Sequence, residues 1–174
     1  MTFLPVPFAL AAMPQRPPNV LVTGTPGVGK TTFSQTLCEG SSLRHIELSK
    51  KIREDRLYRE WDDEMDCSIF DEDLVCDALE PLLEEGHCVV DFHSCGFLSA
   101  DLFDIVVVLR AETGILSARL DARHYKEEKV RENVEAEIFQ VCLDETTEAF
   151  EDSDVKIVAM QSNTLEELNE CVEE

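Results

Sequence analysis

The stretch Gly24-Thr25-Pro26-Gly27-Val28-Gly29-Lys30-Thr31-Thr32 follows the apolar run Asn19–Thr23 and precedes a helical pattern reaching about Glu39. The spacing Gly-x-x-x-x-Gly-Lys-Thr with a strand before it and a helix after it is the context in which this pattern forms a phosphate-binding loop. The glycines, Gly27 and Gly29 among them, let backbone N–H groups turn inward around an anion. The helix N-terminus adds a favourable dipole. Lys30 is placed to reach the β- and γ-phosphates of ATP as a point charge. The Thr31 hydroxyl is positioned for Mg²⁺, and Thr32 adds a phosphate contact.

Outward from this loop, apolar runs alternate with helical patterns, which indicates an α/β architecture with a parallel sheet. The buried-strand candidates are Asn19–Thr23, His45–Leu48, Cys88–Phe92, Ile105–Leu109 and Val155–Met160. The first, third and fourth are Val/Ile/Leu-rich, as expected for strands covered on both faces. Asp71 is a good N-cap for a helix that Gly86 ends, with Leu74, Val75, Ala78, Leu79, Leu82 and Leu83 as its apolar stripe. The pattern predicts a long helix over Glu127–Phe150, with Val130, Val134, Ile138 and Val141 on one face, and a last short helix capped by Thr164. Two charged stretches, Lys50–Phe70 and Arg123–Asn133, read as excursions that cover substrate.

A phosphate loop needs an acid to hold or orient Mg²⁺, usually at the end of a neighbouring buried strand. Asp91 closes the run Cys88-Val89-Val90 and is the candidate; the alternative is a strand-end Asp satisfying backbone amides. His93, two residues on, is placed to orient a water or a phosphoryl group, or else simply lines the cleft. Arg119 and Arg123 are four apart on a helical pattern, and Arg110 ends the fourth strand facing the crevice of an open α/β sheet. All three are candidate phosphate ligands, with pairing to surface acids as the alternative.

Fifteen Lys and Arg against 37 Asp and Glu leave a formal net charge of -22. That field repels phosphate backbones, disfavours broad nucleic-acid binding and favours basic protein partners; solubility alone is the other explanation. The seven cysteines are an odd number with no Cys-x-x-Cys pair, and Cys76, Cys88 and Cys142 sit inside apolar patterns, which points to a reducing compartment; Cys88, His93 and Cys95 match no standard zinc spacing. No apolar run approaches a membrane span. Residues 1–18, apolar and interrupted by Pro5 and Pro7, are expected to be a flexible extension, with Met13 an alternative start, ahead of one domain over 19–174.

The loop Gly24–Thr32, the segment Asp71-Glu72-Asp73, the string Val90-Asp91-Phe92-His93-Ser94-Cys95, the arginine segments Val108-Leu109-Arg110, Arg119-Leu120 and Arg123-His124-Tyr125, and Glu137-Ile138-Phe139-Gln140-Val141 together resemble the nuclear adenylate-kinase-like ATPase family. The resemblance runs from about Asn19 to the C-terminus. It implies a P-loop NTPase fold with a five-stranded parallel sheet and flanking helices, a small NMP-binding insertion over 47–70 and a lid over 122–132. It also implies a monomeric nucleoside monophosphate kinase of adenylate kinase type, converting ATP and AMP to two ADP, with ATPase activity.

In this family Asp91, His93 and the lid Arg123 would be catalytic beside Lys30, and Arg53 would face AMP. A role in small-ribosomal-subunit (18S rRNA) maturation in nucleus and cytoplasm follows from the resemblance, with a basic small-subunit platform ribosomal protein as partner. The second expectation is an ATP-gated assembly factor with little kinase activity. The chain departs from the family at Ser49-Lys50 (usually Gly-Asp), Ser94 (Gly), Gly96 (Asp), Leu98–Leu102 (Phe-Pro-Glu-Arg-Trp) and Thr164 (Lys).

Overall fold

The computed structural model describes residues 16–39, 41–62 and 67–173. In chain order the elements are β1 (Val20–Thr23), α1 (Lys30–Cys38), β2 (Arg44–Glu47), α2 (Leu48–Glu54), β3 (Tyr58–Asp62), β4 (Cys67–Phe70), α3 (Glu72–Glu85), β5 (Cys88–Asp91), β6 (Ile105–Arg110), α4 (Thr113–Ala122), α5 (Glu127–Ile138), α6 (Val141–Ala149), β7 (Lys156–Gln161) and α7 (Leu165–Glu173). A short 3₁₀ turn covers Ala100–Leu102. The main sheet has five parallel strands in the order β2-β5-β1-β6-β7. All five strand expectations land within one residue of the observed ends; β1, β5 and β6 are buried on both faces, as their apolar runs imply, while the edge strands β2 and β7 are partly exposed.

Alternation along the strands divides the core in two. Leu21, Ile46, Val90, Val106 and Val108 pack on one face with Leu48, Ile52, Val75, Leu79 and Leu83 from α2 and α3. Val20, Val22, Val89, Val107 and Leu109 pack on the other with Phe33, Leu116, Leu120 and Leu168 from α1, α4 and α7. The C-terminal ends of β1, β5 and β6 therefore meet at one rim, where open α/β sheets bind ligands.

Local chemistry sets the helix ends. The Asp71 carboxylate accepts from the Leu74 N–H at 3.4 Å, and Gly86 leaves α3 at φ 79°. The Thr164 hydroxyl accepts from the Glu167 N–H at 3.1 Å and starts α7. Part of the α3 stripe is not core, since Leu74 is exposed.

Two expectations change. The predicted helix over Glu127–Phe150 is two helices, broken at Gln140, whose φ of 58° is left-handed. The Glu137 carbonyl accepts from the Gln140 N–H at 3.2 Å and from the Arg110 guanidinium at 3.0 Å instead of continuing the helical ladder. The predicted apolar face is correspondingly divided: Val130 is buried, whereas Ile138 and Val141 are exposed.

The stretch 50–70, read as an excursion, carries most of α2 and the antiparallel pair β3–β4, a sheet separate from the main one; residues 63–66 lie outside the described residues. Arg16–Pro18, assigned to the flexible extension, are held on the domain. Arg16 pairs with Asp104 at 2.9 Å, and Pro17 packs against Gly86. Residues 1–15 of that extension lie outside the described residues.

Candidate functional site

The phosphate loop joins β1 to α1 in a conformation that needs its glycines. Gly24 has φ 136°, and a Cβ there would lie 2.3 Å from the Leu109 carbonyl oxygen. Gly27, at φ 99°, packs so closely on Leu116 and Leu120 that a Cβ would come within 2.9 Å of both. Gly29, φ 109°, is the residue on which α1 opens. Positive φ costs glycine little and other residues a good deal, so this sequence selects the turn.

Lys30 folds back into the loop, donating to the Gly24 carbonyl at 2.7 Å and the Thr25 carbonyl at 3.1 Å. Burial pushes its pKa down to about 8; the Cys142 thiol, Asp91 and Glu137 oppose that shift and Arg123 adds to it. An arriving phosphate would supply the negative charge that the ammonium otherwise lacks. Thr31 is half-buried in the first turn of α1, and Thr32 is exposed.

Asp91 ends β5 and is 3% exposed. Its Oδ2 is 2.7 Å from His45 Nε2 on the adjacent strand β2, where Glu47 is the register partner of Asp91. His45 was not among the sequence candidates: its partner is 46 residues away and only sheet pairing joins them. His93 does not share a strand face with Asp91, because β5 stops at Asp91. The exposed His93 ring packs against Phe92 with centroids 4.4 Å apart and planes tilted by 50°. Enclosure by protein, then the charges of Lys30 and Lys129, lower its pKa. The ring keeps an exposed edge, where water screens part of this effect, and His93 is neutral at pH 7.

Thr31 and Asp91 offer a hydroxyl and a carboxylate, hard oxygen donors suited to Mg²⁺. Among the described residues no three His, Cys, Asp or Glu side chains converge on a metal position. Few protein donors are what Mg²⁺ uses when substrate phosphates and water complete its shell.

The arginines separate. Arg119 and Arg123 line one cleft of about 310 Å³ with Gly27, Gly29, Thr32 and Thr164. Arg119 donates to the Val28 carbonyl at 3.2 Å and the Asn163 carbonyl at 2.9 Å, bracing that wall. Arg110 does not face the phosphate loop as a free cation. It donates to Glu137 Oε1 at 3.1 Å, the Glu137 carbonyl at 3.0 Å and Gln140 Oε1 at 2.8 Å. Its place at the end of β6 was legible; the buried carboxylate that claims it was not. Arg53 is exposed on α2 and does not line this cleft.

A family model described as an AAA domain matches residues 20–140. An adenylate kinase isoenzyme 6 homologue of Schizosaccharomyces pombe is 43% identical over 152 residues, covering 87% of this chain and 85% of that protein. Another from Dictyostelium discoideum is 41% identical over 150 residues, covering 86% and 85%. The fold superimposes on a shikimate kinase of Acinetobacter baumannii with a TM-score of 0.61 at 15% identity, over 90% of this chain and 89% of that one.

Proposed function

Since the chain belongs to the family of adenylate kinase isoenzyme 6 homologues, we propose that it transfers the γ-phosphoryl of ATP to AMP, giving two ADP, and hydrolyses ATP slowly when no acceptor is bound. The observation that carries this reading is the convergence of the Lys30 loop, the buried Asp91 and the Arg119–Arg123 cleft on the rim of one parallel sheet. Mg²⁺ held near Thr31 and Asp91 supplies charge neutralisation at the phosphates when bound. The chain's own residues do the rest. Loop N–H groups and Lys30 bind the phosphates, leaving the Gly24 and Thr25 carbonyls to do so, and Arg123 adds positive charge from the end of α4. His45 holds the Asp91 carboxylate in place. His93, neutral at the cleft edge, orients the attacking oxygen. The stretch 122–132 serves as a lid that excludes water, and 47–70, with Arg53, as the AMP-side insertion.

A coupled assay for ADP formation from ATP, with and without AMP, tests this. Stimulation by AMP is the expected result; ATP cleavage indifferent to AMP would leave a plain ATPase. A second reading, an ATP-gated assembly factor for a basic small-subunit ribosomal protein acting in nucleus and cytoplasm, is favoured by two features. One is the net charge of -22. The other is the apolar elbow Ile138-Phe139, 56% and 71% exposed, which offers a contact surface. Adding such a protein to the same assay separates the two.

A further inference from the structure

We propose that Glu137 is a positioning residue: through Thr25 it sets the outer turn of the phosphate loop and ties that turn to the elbow between α5 and α6. The proposal deepens the nucleotide-site reading above and rests on it. Glu137 closes the last turn of α5, and its side chain is 4% exposed. A carboxylate so buried is costly unless every oxygen is matched. Here each is. Oε1 accepts from Arg110 Nε at 3.1 Å and from the Ala111 N–H at 3.2 Å. Oε2 accepts from the Thr25 hydroxyl at 2.5 Å.

The Arg110 pair and the Ala111 amide engage Oε1 at the end of β6. The Thr25 bond has a different consequence. A threonine in a turn usually satisfies its hydroxyl on nearby backbone; this one reaches across 112 positions of sequence to a buried charge. Thr25 is also where the site's cation rests, since its carbonyl accepts from Lys30. When phosphate oxygens draw Lys30 away, that carbonyl keeps only the local Val28 N–H at 3.3 Å, and the Glu137 bond, beside a long 3.9 Å contact to Cys142 Sγ, is what continues to tie Thr25 to the rest of the domain. The loop then keeps its cradle shape in the state that matters, a preorganisation that appears as nucleotide affinity. Arg110 extends the linkage to Gln140 at 2.8 Å, so the loop, β6 and the elbow are fixed as one unit.

The test uses the full chain and compares parent, Thr25→Val, Thr25→Ser, Glu137→Gln and the double variant Thr25→Val/Glu137→Gln, each by thermal denaturation and by equilibrium titration with ATP and with ADP. Thr25→Val keeps the shape and removes the donor; we expect affinity for ATP to fall about tenfold, as for loss of a charge-assisted hydrogen bond. Thr25→Ser restores the hydroxyl and recovers most of that loss. The loss in the double variant should fall short of the sum of the single losses, because the Thr25–Glu137 bond is affected in both, while Glu137→Gln also weakens the Arg110 pair. A purely structural tether would lower melting temperatures and leave ATP affinity at the parent value in every folded variant, and that result overturns the proposal. So would equal losses in Thr25→Val and Thr25→Ser. If Thr25→Val does not fold, the comparison of Thr25→Ser with Glu137→Gln decides on the same criterion. A parent that binds ATP yet forms no ADP from AMP removes the transfer reading and leaves this inference standing.

Discussion

Burial imposes a desolvation cost on Lys30, so its removal should leave the fold intact while abolishing nucleotide binding. Lys30→Ala is expected to weaken ATP binding or turnover by about 10²-fold or more, with an unchanged circular dichroism spectrum. Parent-level affinity in that variant would sink the phosphate-loop assignment. Asp91 and its neighbours permit a graded comparison. Asp91→Asn should reduce Mg²⁺-dependent turnover far more than ATP affinity, since it acts on placement rather than on holding the phosphates. His45→Phe deprives that carboxylate of its 2.7 Å partner, and a loss of about tenfold in kcat at nearly constant KM is expected. His93→Ala should cost no more than the ~10²–10⁴ typical of a positioned acid–base group. Single-turnover rates with saturating ATP rank the three; equal rates in all would place the acid elsewhere.

The phosphate loop and the cap of α3 show how elements depend on single residues. Gly24→Ala would drive a Cβ into a backbone carbonyl, which cannot move aside, whereas Gly27→Ala meets the ends of two leucine side chains, which can. Both positions carry positive φ, so each substitution adds strain of about 1–3 kcal/mol. The steric term should make Gly24→Ala the more destabilising of the two in urea denaturation. At α3, the hydrogen bond from Arg59 holds the Asp71 carboxyl below its usual value, with the Leu74 and Asp73 amides helping and partial burial opposing. A depressed carboxyl stabilises the fold above the unfolded pKa, near 3.9, and that contribution is lost as pH falls through the lower folded value. Asp71→Ala should therefore melt below the parent at pH 7, and the gap should close on acidification toward pH 3. A gap independent of pH would assign Asp71 no electrostatic role.

Across the whole molecule, 22 excess negative charges attract basic proteins at long range, and salt screens the attraction. The expected complex with a basic small-subunit ribosomal protein should form more slowly as ionic strength rises to physiological levels. Its affinity should also differ among the empty, ADP-bound and ATP-bound protein, and by linkage the partner must then change ATP affinity by the same factor. Identical affinities in the three states would remove the ATP-gated reading and leave a nucleotide kinase.

The chemistry of local patterns was readable before any coordinates. Gly24–Thr31 specified loop, helix start and cation together because that turn needs positive φ at fixed positions, and the five apolar runs marked strands within a residue. Asp71 and Thr164 announced helix starts through side chains that act on their own neighbours, and Gly86 a helix end through its positive φ. What the pattern lacked was any sign of who meets whom. His45 reaches Asp91 because β2 lies beside β5, an adjacency set by how the sheet winds. Arg110 looked like a phosphate ligand until Glu137, 27 residues on, was seen to hold it. The same contact draws the Glu137 carbonyl out of the helical ladder and breaks in two a helix that periodicity alone would have continued. Propensity and capping act within a turn or two of chain, whereas the pairing of buried charges is settled by packing across the molecule.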